Sequence, residues 1–231
     1  MEKKIAIVGG TGAEGFGLAV RFAKAGSRVF IGSRNLEKAM AAAQRIAAQA
    51  GSGEVTGHLN VDAVRLAPVV ILTVPLSAQV ETLKVIRDHF DSKAILVDAT
   101  VPLEVAIGGR LSRVVTLWDG SAAQQAARLV PTGVPVIAAF HSLSAEQLGR
   151  LDENVDCDAL ICGDSSEAKS TVSELAEMIP GVRAIDAGPL DNARFLENSA
   201  AMLIALNLRH KIKHSGIRIT GMFSPGEGTR G

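Results

Sequence analysis

Residues 3–39 read KKIAIVGGTGAEGFGLAVRFAKAGSRVFIGSRNLEKA. The apolar run Ile5–Val8 reads as a buried strand, and Gly15–Lys24 has a helical pattern. Between them, Gly10-Thr11-Gly12-Ala13-Glu14-Gly15 fits G-x-G-x-x-G. That pattern is weak alone, but a strand before it and a helix after it supply the context it needs. Gly10 permits a tight turn, Gly12 lets the backbone approach a pyrophosphate, and Gly15 lets the helix pack on the strand. Free N–H groups at the helix start then face phosphate oxygens. The loop reads as a dinucleotide site. The plainer alternative is a glycine-rich turn with no ligand.

The end of the second strand says which dinucleotide. It reads Phe30-Ile31-Gly32-Ser33-Arg34-Asn35, followed by Lys38, and no Asp occurs before Asp62. NAD-binding versions carry an acid there, about 20 residues on from the glycines, to hold the ribose 2′-OH. Here nothing at that point repels a 2′-phosphate. Arg34 can grip a phosphate in fork geometry, Ser33 can donate, and Lys38 lies one helical turn further on. The residues predict NADP(H). The plainer alternative is an Arg and a Lys on a solvated helix start.

Outward from this stretch, β-branched runs alternate with helical patterns. Val29–Ile31, Val69–Val74, Ala94–Val97 and Val134–Ala138 read as strands. Asn35–Gln49, Ala78–His89 and Ala122–Leu129 read as helices. Continuous apolar strands with helices between them predict an α/β fold, a Rossmann-type doubly wound parallel sheet covered on both faces. We expect that domain over residues 1–151. A smaller C-terminal α/β-to-helical domain is expected over 152–223, with strands Ala159–Cys162 and Val182–Asp186 flanking a helix Ser166–Met178. A long helix from Asp191 to near His214 follows, and its AAMLIALNL stretch is apolar nearly all round. Such a helix is buried in the core or against a second subunit. We expect the second, a homodimer through this helix. Residues 224–231, SPGEGTRG, read as a flexible tail.

Composition removes several function classes. Lys+Arg and Asp+Glu are both 24, so there is no basic excess for nucleic acid or a membrane surface. Aromatics are 3% and Tyr is absent, which argues against a base-stacking platform. Cys157 and Cys162 do not form a CxxC pair, so no zinc site is expected. Two reduced thiols fit a cytoplasmic protein. The start of the chain does not read as a signal peptide, and no apolar run is long enough to span a bilayer.

Ligands of a doubly wound sheet lie beyond the carboxyl ends of its strands. The loops there are Thr73-Val74-Pro75-Leu76, Ala99-Thr100-Val101-Pro102 and Phe140-His141-Ser142-Leu143. Each is largely apolar with one or two polar groups, which suits a flat ring held for hydride transfer. His141 is the imidazole of these loops: a hydrogen-bond donor or general acid toward a substrate, or a histidine satisfied by backbone. Asp98 is read as catalytic or structural. His210 and His214 are four apart, but Arg209, Lys211 and Lys213 interleave them, so a solvated face is expected rather than a metal site. No nucleophile-plus-base pair or paired-carboxylate motif stands out. Hydride transfer between two ring cofactors needs proximity and orientation more than acid–base groups.

The stretches IAIVGGTGAEGFGLA, VFIGSRNLEKA, ILTVP, VDATVPL, AAFHSLSAEQL, ICGDSSEAK and IDAGPLDNARFLE together resemble the NADPH-dependent reductases of the deazaflavin coenzyme F420. The resemblance implies hydride transfer between NADP(H) and F420, direct from ring to ring, with no metal. It implies that Thr11, Ser33, Arg34 and Lys38 bind the NADP phosphates and that Val74 and Pro75 border the nicotinamide. His141, Ser142 and Leu143 would line the cleft for the second ring. Leu76–Gln79 departs from the family's pattern just after the strand-four proline, and Val105–Gly120, with its lone Trp118, reads as particular to this chain. Two other readings stay open on the residues: an NADPH-dependent reductase of a flavin, imine or carbonyl acceptor, and a non-enzymatic NADPH sensor.

Overall fold

A computed structural model describes residues 3–222. The expected tail over 224–231 lies outside the described residues. Eight strands form one sheet: β1 (Lys4–Val8), β2 (Arg28–Ser33), β3 (Val55–Leu59), β4 (Val69–Leu72), β5 (Ile95–Asp98), β6 (Val136–Ala138), β7 (Cys157–Gly163) and β8 (Val182–Asp186). Their order is β3-β2-β1-β4-β5-β6-β7-β8. β3 to β6 pair in parallel, β7 joins β6 antiparallel through Ile137↔Gly163 and Ala138↔Cys162, and β8 pairs in parallel with β7. The order reverses between β1 and β4, and that switch point is where a doubly wound sheet opens a ligand crevice.

The helices are α1 (Ala13–Lys24), α2 (Leu36–Ala50), α3 (Asn60–Leu66), α4 (Leu76–Ile86), α5 (Ala122–Leu129), α6 (Ala145–Leu148), α7 (Ser166–Glu177) and α8 (Ala193–His210). Alternate residues of each strand feed two cores. Ile5, Ile7 and Ile31 pack with Leu18, Phe22 and Ile46 of α1 and α2. Ala6, Val8 and Leu72 pack with Val64, Leu83 and Ile86 of α3 and α4, and α5 and α8 extend that layer. Each fully buried Leu, Ile or Phe contributes roughly 2 kcal/mol of transfer free energy. The central runs Ile5–Val8, Val69–Leu72 and Ile95–Val97 are continuously apolar because both faces of the sheet are covered.

Several boundaries move for local reasons. β4 stops at Leu72, before the expected Val74, because Pro75 takes the N-cap of α4 with φ −63°. α8 ends at His210, short of His214, on Lys211 in the left-handed region (φ 54°). The chain then runs back along β7, where Asp158 N–H donates to the Ile217 carbonyl and Ile219 N–H donates to Asp158 Oδ2. The edge strand β3 and helix α3 were not expected. The apolar stretch of α8 is half covered: Ala200, Ala201 and Leu203 are buried, while Met202, Leu206 and Leu208 face outward.

Candidate functional site

Three clefts run together along the carboxyl ends of β1, β4, β5 and β6. The first, about 370 Å³, lies over the glycine loop and the end of β2. Thr11, Gly12, Ser33, Arg34, Lys38, Thr73, Val74 and Pro75 all line it, so the structure brings most of the expected dinucleotide residues into one place. No Asp or Glu lines it. The Arg34 and Lys38 side chains have no ion-pair or hydrogen-bond partner among the described residues. Gly12 is the N-cap of α1 and has no side chain to cap it, so the first-turn N–H groups are left for a ligand. Asn35, by contrast, caps α2 by accepting from Lys38 N–H at 2.9 Å. These features fit a phosphorylated dinucleotide: an open helix start, two unpaired cations and no competing carboxylate.

Gly10, Ala13 and Gly15 do not line the clefts. Gly10 and Gly15 act from behind, by closeness. A Cβ on Gly10 would lie 3.0 Å from the Ile7 carbonyl oxygen, and one on Gly15 would lie 2.5 Å from Thr73 Oγ1. Ala13 is exposed on the first turn of α1. Asn60, at the start of α3, also lines the first cleft and is buried, with its Oδ1 unpartnered. Sequence reasoning missed it because β3 and α3 were not read. The available signal was a polar residue opening a helix straight after a strand.

The second cleft, also about 370 Å³, shares Thr73, Val74 and Pro75 with the first. Its remaining wall is apolar (Leu76, Ala99, Val101, Leu103, Val105 and Ala106) except for Glu14. The third cleft, about 360 Å³, shares Glu14, Ala99 and Val101 with the second. It is closed by His141, Ser142 and Leu143 after β6 and by Ala200, Leu203 and Asn207 of α8.

Phe140 shapes this third cleft. It has φ 72°, a left-handed conformation that a bulky residue rarely adopts, and its ring packs edge-on to Phe22 at 6.1 Å. The turn it makes sets His141 on the cleft wall. Both His141 ring nitrogens lie away from solvent with no hydrogen-bond partner. Burial lowers its pKa to about 4; the Thr100 backbone pulls weakly the other way without a well-formed hydrogen bond. At neutral pH the ring is therefore uncharged, with one N–H to donate and one nitrogen to accept. Ser142 lines the cleft, but its hydroxyl is committed to the Asp158 carbonyl at 2.7 Å. Glu14 Oε1 is shielded from solvent and has no partner, and burial pushes the carboxyl up to about 8.

A buried polar network stands behind the clefts. Asp98 lines none of them. It accepts from Thr100 N–H at 2.7 Å and from Gln79 Nε2, and burial raises its pKa to about 6. Gln79 also donates to the Ala122 carbonyl and accepts from Gln125. Glu197 of α8 accepts from Ala122 and Ala123 N–H at 3.0 and 3.1 Å, closing the N-terminus of α5. The network fixes the Ala99–Thr100 loop against α4, α5 and α8. His210 and His214 are exposed, and the described residues hold no His/Cys/Asp/Glu group able to bind a metal. Cys157 and Cys162 are free, buried thiols.

The description "NADP oxidoreductase coenzyme F420-dependent" belongs to the family whose pattern matches residues 4–102. An F420-dependent NADP reductase of Methanothermobacter thermautotrophicus is 49% identical, over 96% of this chain and 97% of its own length. One from Methanocaldococcus jannaschii is 42% identical, over 95% and 99%. A crystal structure from Arthrobacter sp. FB24 shares the fold with a TM-score of 0.77 at 21% identity, covering 93% of this chain and 98% of that one. Near full-length identity of this size, on a chain that keeps the glycine loop and the Ser33-Arg34 turn, places the protein in the F420-dependent NADP reductase family.

Proposed function

We propose that this protein transfers a hydride between NADP(H) and the deazaflavin coenzyme F420, as the names of its relatives indicate for them. The observation that carries the reading is the continuity of the three clefts through Thr73–Pro75 and through Glu14, Ala99 and Val101. Arg34, Lys38 and Ser33 hold the 2′-phosphate. Thr11 and the open start of α1 hold the pyrophosphate. Val74 and Pro75 border the nicotinamide, which supplies or accepts the hydride. The apolar wall of Ala99, Val101 and Leu143 excludes water and holds the second ring face to face with it. His141 donates its single N–H to a carbonyl on that ring. The three clefts hold no nucleophile–base pair, and a ring-to-ring hydride step needs none.

Assembly and setting belong to the same reading. Phe195, Met202 and Leu208 are 63%, 52% and 61% exposed along α8, a surface suited to a second copy of the chain. The protein works as a homodimer through this helix. Two free thiols support a cytoplasmic setting. No helix of the described residues is long and apolar enough to cross a membrane. The test mixes purified protein with NADPH and oxidised F420 and follows the visible deazaflavin band, with NADH and FMN as controls. Bleaching with NADPH and F420 supports the reading. Tight NADPH binding without bleaching moves the acceptor to a flavin, imine or carbonyl compound, or makes the protein a sensor.

A further inference from the structure

Reducing a deazaflavin takes more than a hydride. The bond from hydrogen to the nicotinamide carbon breaks, and its electron pair goes with the hydrogen to a deazaflavin ring carbon. NADPH is oxidised and the deazaflavin is reduced. A ring nitrogen of the reduced product also gains a proton, so one proton is consumed per turnover. The reverse reaction releases one. Some group must hand that proton over where the second and third clefts join, and the second is apolar apart from Glu14 and Thr73.

Glu14 stands where the second and third clefts meet and lines both. Its Oε1 is shielded from solvent and has no hydrogen-bond partner. No other titratable side chain lines the second cleft. The third cleft is also lined by His141 and by Glu146 and Lys213, which pair with each other at 3.8 Å and whose side chains are 35% and 77% exposed. In the first cleft the charged groups are Arg34 and Lys38. Resting on the hydride-transfer reading above, we infer that Glu14 is the proton donor to the deazaflavin during its reduction and the acceptor in reverse.

The electrostatics agree with the position. Burial keeps Glu14 protonated up to about pH 8, whereas His141 is neutral above about 4 and carries no spare proton. A carboxylic acid also avoids placing a negative charge in the first turn of the helix that faces the pyrophosphate. In the forward step the Glu14 O–H bond breaks, its proton goes to the ring nitrogen, and the carboxylate is reprotonated from solvent through the third cleft.

The test uses Glu14→Gln, which keeps the shape and cannot supply a proton. Deazaflavin reduction by NADPH is expected to fall roughly 100-fold, with NADPH affinity held. Wild-type reduction is expected to decline as pH rises through about 8, and oxidation of the reduced deazaflavin to increase over the same range. The variant is expected to show neither trend. A second readout needs no turnover. The infrared difference between wild type and Glu14→Gln at neutral pH should contain the C=O band of a protonated carboxyl. Absence of that band means Glu14 is ionised and overturns the inference. Turnover unchanged by Glu14→Gln overturns it too, while leaving the hydride-transfer reading intact. No deazaflavin turnover by the wild-type protein overturns both.

Discussion

A Cβ on Gly15 would lie 2.5 Å from Thr73 Oγ1 and 2.8 Å from Gly10 Cα. Thr73 Oγ1 is itself fixed, donating to the Val8 carbonyl at 3.1 Å. The glycine therefore sets how closely α1 approaches the end of β4, and with it the width of the dinucleotide crevice. Gly15→Ala forces these groups apart. Overpacking of this kind costs about 1–3 kcal/mol. We expect a lower Tm and NADPH binding weakened by roughly 10-fold or more, measured by calorimetry. Unchanged affinity would detach Gly15 from the site.

Arg34→Ala separates the two nicotinamide cofactors. Hydrogen bonds between charged partners contribute about 1.5–3 kcal/mol each. NADPH affinity should fall roughly 10- to 100-fold while NADH affinity stays as it was. Fluorescence titration with both nucleotides checks this. Equal loss for both would remove Arg34 from the 2′-phosphate.

His141 carries a pH signature. Its folded pKa is lowered from 6.5 to about 4, so between those values the unfolded chain binds a proton that the folded one does not. Its contribution to stability is complete above 6.5 and is lost as pH falls toward 4. Asp98, raised from 3.8 to about 6, acts in the opposite sense. The comparison that isolates the histidine is wild type against His141→Gln. Denaturant melts from neutral to acid pH should show the variant with the shallower loss of stability. His141→Ala should lower turnover and leave NADPH binding nearly intact.

Glu197→Ala leaves the buried N–H groups of Ala122 and Ala123 without acceptors. Each unsatisfied group costs about 1–3 kcal/mol, so a loss of about 3 kcal/mol is expected in urea unfolding. The residue lines none of the clefts, so NADPH affinity should survive in the fraction that folds.

The parts of this fold legible in the sequence are those governed by local chemistry. The glycine loop, the strand ends and the Ser33–Lys38 turn declare themselves because the steric and charge demands fall on adjacent residues. β3 escaped because VTGHL is short, lies at the sheet edge and carries Gly57, whose missing Cβ would lie 2.4 Å from the Ala39 and Met40 backbone of α2. Without β3, Asn60 had no address. The neutral state of His141 depends on burial by elements far apart in the chain, and its placement depends on the positive φ of Phe140, an unusual residue for that conformation. Glu14 was legible as a member of the loop but not as a carboxyl whose Oε1 is shielded from solvent without a partner. No local pattern reports desolvation.

The proposed function rests on direct transfer between two rings held in adjoining clefts. NADPH carrying deuterium on the hydride-donating carbon of its nicotinamide, mixed with the protein and oxidised F420, tests it most directly. The deuterium is expected on the carbon of the reduced deazaflavin, one label per turnover from the labelled face. Deuterium found in water, or in neither product, would contradict it.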